Sequence, residues 1–476
     1  MLEAVADRHH TRKVQAVQYD TCMLAKPRGF IGRDPEWGAL ARFVERRQRL
    51  AVVYGPRRVG KSFLIDALCE AAGGFRYQAI AGTPATQLAD FGRELGSRLG
   101  AGALELEGWA DALDRLARLD VPVVAIDELP YLTEVTPELP SLIQRYVDGK
   151  AGPALILAGS ALSVMSDLVE ARAPLYGRAA AVVVPAPLAG PDLAELWGTG
   201  DPLAALWIDA ALGGLPGYRP LVAPPGRDLD AWMTGELLAP GSPLLDAAEA
   251  DLAGLPDPPA LRGVYRAILT AIAGGERTFS AISRVAGLPS GALSRPLAAL
   301  ERAGLVERVP DPLRARRDRY ELANPHLRFW LAIVAPHESR LQAGAATAVW
   351  ARLGETTWRS QVLGPRWEAV ARAHFAHQDG GPAGPLDAVG ATTVSDRAAR
   401  RTIDVDLVAT RDGRVVALGE AKLRALGAAD LERLQHVRKL LDAPDAALIL
   451  ASATGVERSA ATQPDVIAIQ PGEVYG

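Results

Sequence analysis

One octapeptide constrains this 476-residue chain more than anything else in it: Gly55-Pro56-Arg57-Arg58-Val59-Gly60-Lys61-Ser62. It satisfies the pattern G-x-x-x-x-G-K-[ST] at every fixed position. The apolar run from Arg49 to Tyr54 reads as a strand, and Ser62 to Glu70 reads as a helix. Strand, glycine loop and helix in that order aim backbone N–H groups and the positive end of a helix dipole at phosphate groups. Residues 55–62 are therefore expected to cradle the phosphates of a nucleotide together with Mg²⁺. Lys61 would reach the β- and γ-phosphates and the Ser62 hydroxyl would ligate the metal.

A second signal lies downstream. Val121 to Ile126 is a nearly unbroken apolar run, as in a parallel strand buried on both faces, and Asp127-Glu128 stands at its carboxyl end. Ligands bind at that end of the strands in open α/β sheets. Asp127 would hold Mg²⁺ and Glu128 would act as general base on the attacking water. A strand is expected at 75–80, between these two in the chain. That interposed strand, with the adjacent acid pair, resembles the additional-strand class of phosphate-loop ATPases. No guanine-reading N-K-x-D is present.

Further motifs take their meaning from resemblance. Phe30-Ile31-Gly32-Arg33 with Glu36 is similar to a segment near the adenine in AAA+ and related ATPases. Ser160 follows the apolar run Ala154 to Ala158, where AAA+-like ATPases carry a polar residue that senses the γ-phosphate. Arg178 precedes the run Ala181 to Val184 and resembles an arginine finger, acting in cis or on a neighbouring subunit. Gly213-Gly214-Leu215-Pro216 resembles the G-G-x-P element that packs near the adenine in signal-transducing and archaeal-type ATPases, which implicates Pro216.

Residues 261–330 change character. Helices are expected over 261–273, 278–286 and 290–303, then two strands near 304–309 and 319–322, the order of a winged helix-turn-helix. The segment holds 12 Arg against 6 acids. Arg314, Arg316, Arg317 and Arg319 crowd the wing, so DNA is a candidate partner, with Pro296 expected to kink the third helix. Asn324 to Trp330 is expected to form an apolar bridge.

The last third carries Asp406 on an alternating strand and Glu420-Ala421-Lys422 on the strand returning from the turn at 411–414. On a hairpin, Asp406 and Glu420 can converge on one metal ion. Glu420 and Lys422 share a face by period two, so the lysine can reach an attacking water. This D…E-x-K arrangement resembles the PD-(D/E)XK, or restriction-endonuclease-like, fold, whose members often keep the pattern without demonstrated cleavage. The resemblance implies that Glu368, on a helix expected over 365–376, matches the glutamate of that fold's first helix and completes the metal set. Asp404, on the strand face of Asp406, and Gln435 are weaker candidates.

Taken in order, these motifs resemble the archaeal-type ATPase family of the AAA+/STAND group, which carries a C-terminal restriction-endonuclease-like domain of unknown function. The resemblance implies an α/β phosphate-loop sheet at 27–188, a helical lid at 189–258, a winged helix at 259–330 and a nuclease-like α/β domain at 331–476, after a disordered tail at 1–26 with Met23 as a candidate start. It implies ATP binding and hydrolysis coupled to a nucleic-acid-binding or nuclease-like module. The alternatives are a nucleotide switch and a DNA-binding regulator with an inactive tail. A homo-oligomer is compatible with Arg178. Net charge is −4, so any nucleic-acid contact must be local. Two cysteines, no apolar run of membrane length and no signal peptide point to the cytoplasm and away from a membrane.

Overall fold

The computed structural model describes residues 24–149, 151–253, 261–315, 317–377 and 385–476. Most of the expected tail, Arg316 of the wing and most of the Pro/Gly linker at 379–386 lie outside them. Residues 24–26 are ordered: the Leu24 amide donates to Glu45 at 2.9 Å and Lys26 pairs with Asp34 at 2.7 Å. The chain forms two compact units, one running to Pro56 and resuming over Gly60–Ala186, the other comprising Arg57–Val59 and Pro187–Gly476. Among the described residues no helix is long and apolar enough to cross a membrane.

The first unit is built on five parallel strands, β1 (Leu50–Tyr54), β2 (Phe75–Gln78), β3 (Val123–Asp127), β4 (Ala154–Gly159) and β5 (Ala181–Val183), in the order β2-β3-β4-β1-β5. Period-two alternation divides its core. Leu50, Val52, Val124, Ile126, Leu155 and Leu157 face the helices Pro84–Arg98, Trp109–Leu116 and Leu139–Asp148. Ala51, Val53, Val123, Ala125 and Ile156 face Asp34–Glu45 and Lys61–Ala72.

The strand expected at 75–80 is present over 75–78, between β1 and β3 in the chain. In the sheet it is the outer neighbour of β3, and β4 occupies the place between β1 and β3. Burial fits this order. The sequence of β4, ALILAG, is apolar throughout and buried throughout, whereas β2 is FRYQ, with alternate residues exposed or half-exposed as suits an edge.

In the second unit, the helices Arg262–Ala273, Phe279–Val285 and Ser290–Arg302 precede an antiparallel wing of β6 (Val306–Val309) and β7 (Arg319–Leu322). Ile268, Ile272, Ile282, Leu293, Leu297 and Leu300 form its core. The third helix runs through Pro296 without interruption and leaves Ser294 and Arg295 exposed. Wing arginines are partly committed: Arg308 pairs with Asp318, and Arg319 donates to the Thr393 hydroxyl at 3.1 Å. The expected bridge is a short helix, Pro325–Phe329, capped by the Asn324 side chain and wholly buried at Phe329. It opens onto a cluster of tryptophans packed edge to face or tilted: the Trp207, Trp350 and Trp358 rings lie 5.2–6.1 Å from one another.

The second sheet orders β8 (Ala388–Asp396), β9 (Arg401–Arg411), β10 (Arg414–Lys422), β11 (Ala447–Ser452) and β12 (Val466–Ile469) as β12-β11-β10-β9-β8. The first three are antiparallel neighbours, whereas β11 and β12 run parallel to β10. The helix Ala428–Leu440 makes the crossover from β10 to β11.

His326 is sealed in this unit, its Nδ1 donating to the Ala211 carbonyl at 3.1 Å. Burial pushes its pKa down to about 4. An unfolded histidine titrates near ~6.5, so the unfolded chain takes up a proton that the folded one refuses. Stability present above that value is lost as pH falls towards the folded pKa. Between pH 7 and about 4.5 the loss from this side chain is about 2–3 kcal/mol. Denaturant titrations at the two pH values are expected to find that difference reduced by about this amount in His326→Gln.

Candidate functional site: the carboxyl edge of the parallel sheet

Because β1, β3 and β4 are parallel neighbours, their carboxyl ends deliver the phosphate loop, Asp127-Glu128 and Ser160 to one edge. The loop turns into its helix through Gly60 at φ 95°, a conformation that favours glycine. Lys61 opens the helix. It is only 5% exposed, and its ammonium group donates to the carbonyls of Gly55 at 2.9 Å and Pro56 at 3.0 Å. The loop thus wraps its own cation, which lies beside amides at a helix N-terminus.

The Ser62 hydroxyl donates to Asp127 Oδ2 at 2.6 Å. Sequence reasoning paired these residues as metal ligands, and the fold brings them into contact across 65 positions. A hydroxyl and a carboxylate beside a helix N-terminus fit a hard divalent cation such as Mg²⁺. Asp127 is fully buried, and its Oδ1 accepts the Glu128 amide at 2.9 Å. Glu128 is left-handed at φ 53°, which turns its side chain out of the strand direction. The amide and hydroxyl of Ser160 both donate to Glu128 Oε2, at 3.2 and 3.0 Å. Ser160 therefore fixes the orientation of Glu128, a contact that the resemblance did not contain.

Arg178 is not part of this edge. The Ala180 amide donates to Leu50 at 2.8 Å, which puts Arg178 at the amino edge, five residues of β1 away from the loop, roughly 16 Å along the strand. Its guanidinium makes a two-pronged pair with Asp148, at 2.8 and 2.9 Å. Within one chain it does not reach Lys61. Near the other motif, Arg33 is left-handed at φ 64° and pairs with Glu36 at 3.2 Å.

In the second unit, Pro216 opens the tight turn Pro216–Tyr218. There the Gly217 amide donates to the Arg58 carbonyl at 3.0 Å, and the Arg58 guanidinium sits 5.0 Å over the Tyr218 ring. A Cβ on Gly217 would stand 2.7 Å from that of Arg58, so only glycine permits the approach.

Also in this unit, Asp406 and Glu420 converge on Lys422, whose Nζ lies 2.6 Å from Asp406 and 2.8 Å from Glu420. The sequence-predicted trio is thus assembled. The same geometry brings further cations to the carboxylates. Arg433, from the crossover helix, takes the other oxygen of Glu420, and Arg277 donates twice to Glu368 at 3.1 Å. Burial, helped by Asp406, pushes the Glu368 carboxyl up against the opposing pull of Arg277 and Arg372. Asp404 is exposed and accepts from Thr393 at 2.8 Å. Among the described residues no three His, Cys, Asp or Glu are grouped to hold a metal. Glu368, Asp406 and Glu420 each have a cationic side chain beside them in this arrangement.

The residue most clearly missed by sequence reasoning is Arg76. It lies on β2 and donates to Asp127 Oδ2 at 3.1 Å. The alternation of Phe75-Arg76-Tyr77-Gln78 was the available signal, since it sets Arg76 and Gln78 on one polar face next to β3.

Residues 261–317 match the family model described as MarR family. A curated relative, the uncharacterized protein MJECL04 of Methanocaldococcus jannaschii, is 25% identical over 328 residues, which covers 66% of this chain and 71% of that one. Among solved structures, the chain is similar to the Walker-type ATPase PABY2304 of Pyrococcus abyssi, with TM-score 0.49 and 20% identity over 66% of this chain and 99% of that one. It is also similar to the Aeropyrum pernix ORC1 protein in complex with DNA, with TM-score 0.35 and 16% identity over 66% of this chain and 95% of that one. The chain thus joins a parallel α/β sheet carrying a phosphate-loop motif to a winged helix of the MarR type.

Proposed function

We propose that this chain is a Mg²⁺-dependent ATPase whose nucleotide state controls its winged helix and C-terminal domain. The observation that carries the reading is the 2.6 Å contact between Ser62 and Asp127, next to a lysine held on its own loop. Lys61 and the loop amides would neutralise phosphate charge. Ser62 and Asp127 would hold the metal, whose contribution is electrostatic stabilisation of the transferring phosphoryl group. Glu128, clamped at one oxygen by Ser160, would orient and deprotonate water through the other. Arg178 would serve the nucleotide of a second copy, since its place at the amino edge excludes its own.

The winged helix is the element suited to DNA, through the exposed Ser294–Arg295 face of its third helix. The likeness of the C-terminal domain to the PD-(D/E)XK fold is supported by one helix, three antiparallel strands, a crossover helix and a parallel strand, with Asp406, Glu420 and Lys422 on adjacent strands. A second reading has a specific observation in its favour. The cations on Glu368, Asp406 and Glu420 favour a tail that docks a partner and does not cut. The test is plasmid and single-strand cleavage with Mg²⁺ or Mn²⁺, with and without ATP, beside Asp406→Ala. ATP turnover with no cleavage in any lane is the expected result. Cleavage that Asp406→Ala abolishes would restore the nuclease.

A further inference from the structure

Arg76 has no part in the motifs, yet it touches the centre of the site. Ser62 and Asp66 are four residues apart on the helix Lys61–Ala72 and so share one face. Asp66 grips the Arg76 guanidinium with both oxygens, at 2.6 and 3.0 Å. The remaining nitrogen donates to Asp127 Oδ2 at 3.1 Å and to the side-chain oxygen of Gln78. Gln78 is the register partner of Asp127 on the neighbouring strand. The arginine is therefore built in. Two carboxylates and an amide fix its plane, and its side chain is 19% exposed.

The oxygen it reaches is the one that accepts the Ser62 hydroxyl. A wholly buried carboxylate is costly unless paired and hydrogen-bonded, and Arg76 supplies the charge that Asp127 needs in this arrangement. A divalent cation bound between Ser62 and Asp127 would lie beside a guanidinium that Asp66 prevents from swinging away. Two like charges in a low-dielectric pocket repel strongly. We propose that Arg76 is a positioning residue that holds Asp127 ready and competes with Mg²⁺ for it, so that the metal is admitted only with the negative charge of a nucleotide. The inference rests on the Mg²⁺–ATP reading of this edge and adds a control on metal loading to it.

The test follows a fluorescent ATP analogue bound to the full chain while MgCl₂ is titrated at fixed nucleotide. Arg76→Gln is expected to lower the half-saturating Mg²⁺ about tenfold and to weaken metal-free binding of the analogue, which loses a nearby positive charge. A purely structural role would weaken both. Arg76→Lys, which keeps the charge, stays near wild type. Asp66→Asn keeps the arginine but loosens its anchor and falls between, and it carries the test if Arg76→Gln fails to fold in a thermal melt. An unchanged or higher Mg²⁺ requirement in Arg76→Gln overturns the proposal while leaving the ATPase reading intact. Absence of analogue binding to the wild-type chain at any Mg²⁺ concentration overturns both.

Discussion

Lys61→Ala is expected to weaken ATP binding by tenfold to a hundredfold and to reduce hydrolysis by at least about a hundredfold. Two losses add. The substitution removes the one cation the loop wraps, and it strips the carbonyls of Gly55 and Pro56 of their shared donor. A buried polar group left without a partner costs about 1–3 kcal/mol, so the loop itself should relax. Titration with a fluorescent nucleotide and a phosphate-release assay measure the two effects separately. A thermal melt guards against global unfolding, which is not expected because the sheet and its flanking helices keep their cores. ATP binding that survives the substitution unchanged would remove the phosphate loop from the mechanism.

Glu128→Gln separates binding from chemistry. Glutamine has the same shape, can accept the same two bonds from Ser160 and faces the same backbone strain at φ 53°. Nucleotide affinity should therefore stay within a few-fold of wild type. The amide cannot take a proton from water, and loss of a positioned general base costs about 10²–10⁴ in rate. Single-turnover hydrolysis, with nucleotide affinity measured alongside, is the decisive comparison. A wild-type rate would mean that another group handles the proton, and the Ser160 contact would then be structural.

The strands, helices and motifs that depend on local sequence were legible in advance. The loop between β1 and its helix, the acid pair ending β3 and the three helices with a wing needed only periodicity and short patterns. Spatial order did not follow from these. β2 precedes β3 in the chain, yet β4 fills the position between β1 and β3, because strand neighbours are chosen by burial across long separations. The strands β8, β11 and β12 carry no chemistry-bearing motif and became visible only as part of a sheet. The cations went unseen for the same reason. Arg76, Arg277 and Arg433 meet their carboxylates across 51, 91 and 13 positions, and no motif marks a counterion. The clearest case is Glu420, where an arginine from the crossover helix pairs with a carboxylate expected as a metal ligand.

The tryptophan cluster around Trp358 has an optical consequence. Seven of the chain's nine tryptophans lie between Trp197 and Trp367, in the second compact unit, while Trp37 and Trp109 belong to the first. Rings only 5.2–6.1 Å apart pass excitation among themselves before emitting. Intrinsic fluorescence of this protein is therefore chiefly a voice of the second unit, and it says little about the nucleotide edge. Far-ultraviolet circular dichroism weighs the helices of both units. An emission transition that fails to coincide with the dichroism would thus reveal the two units melting separately, with no label attached to either.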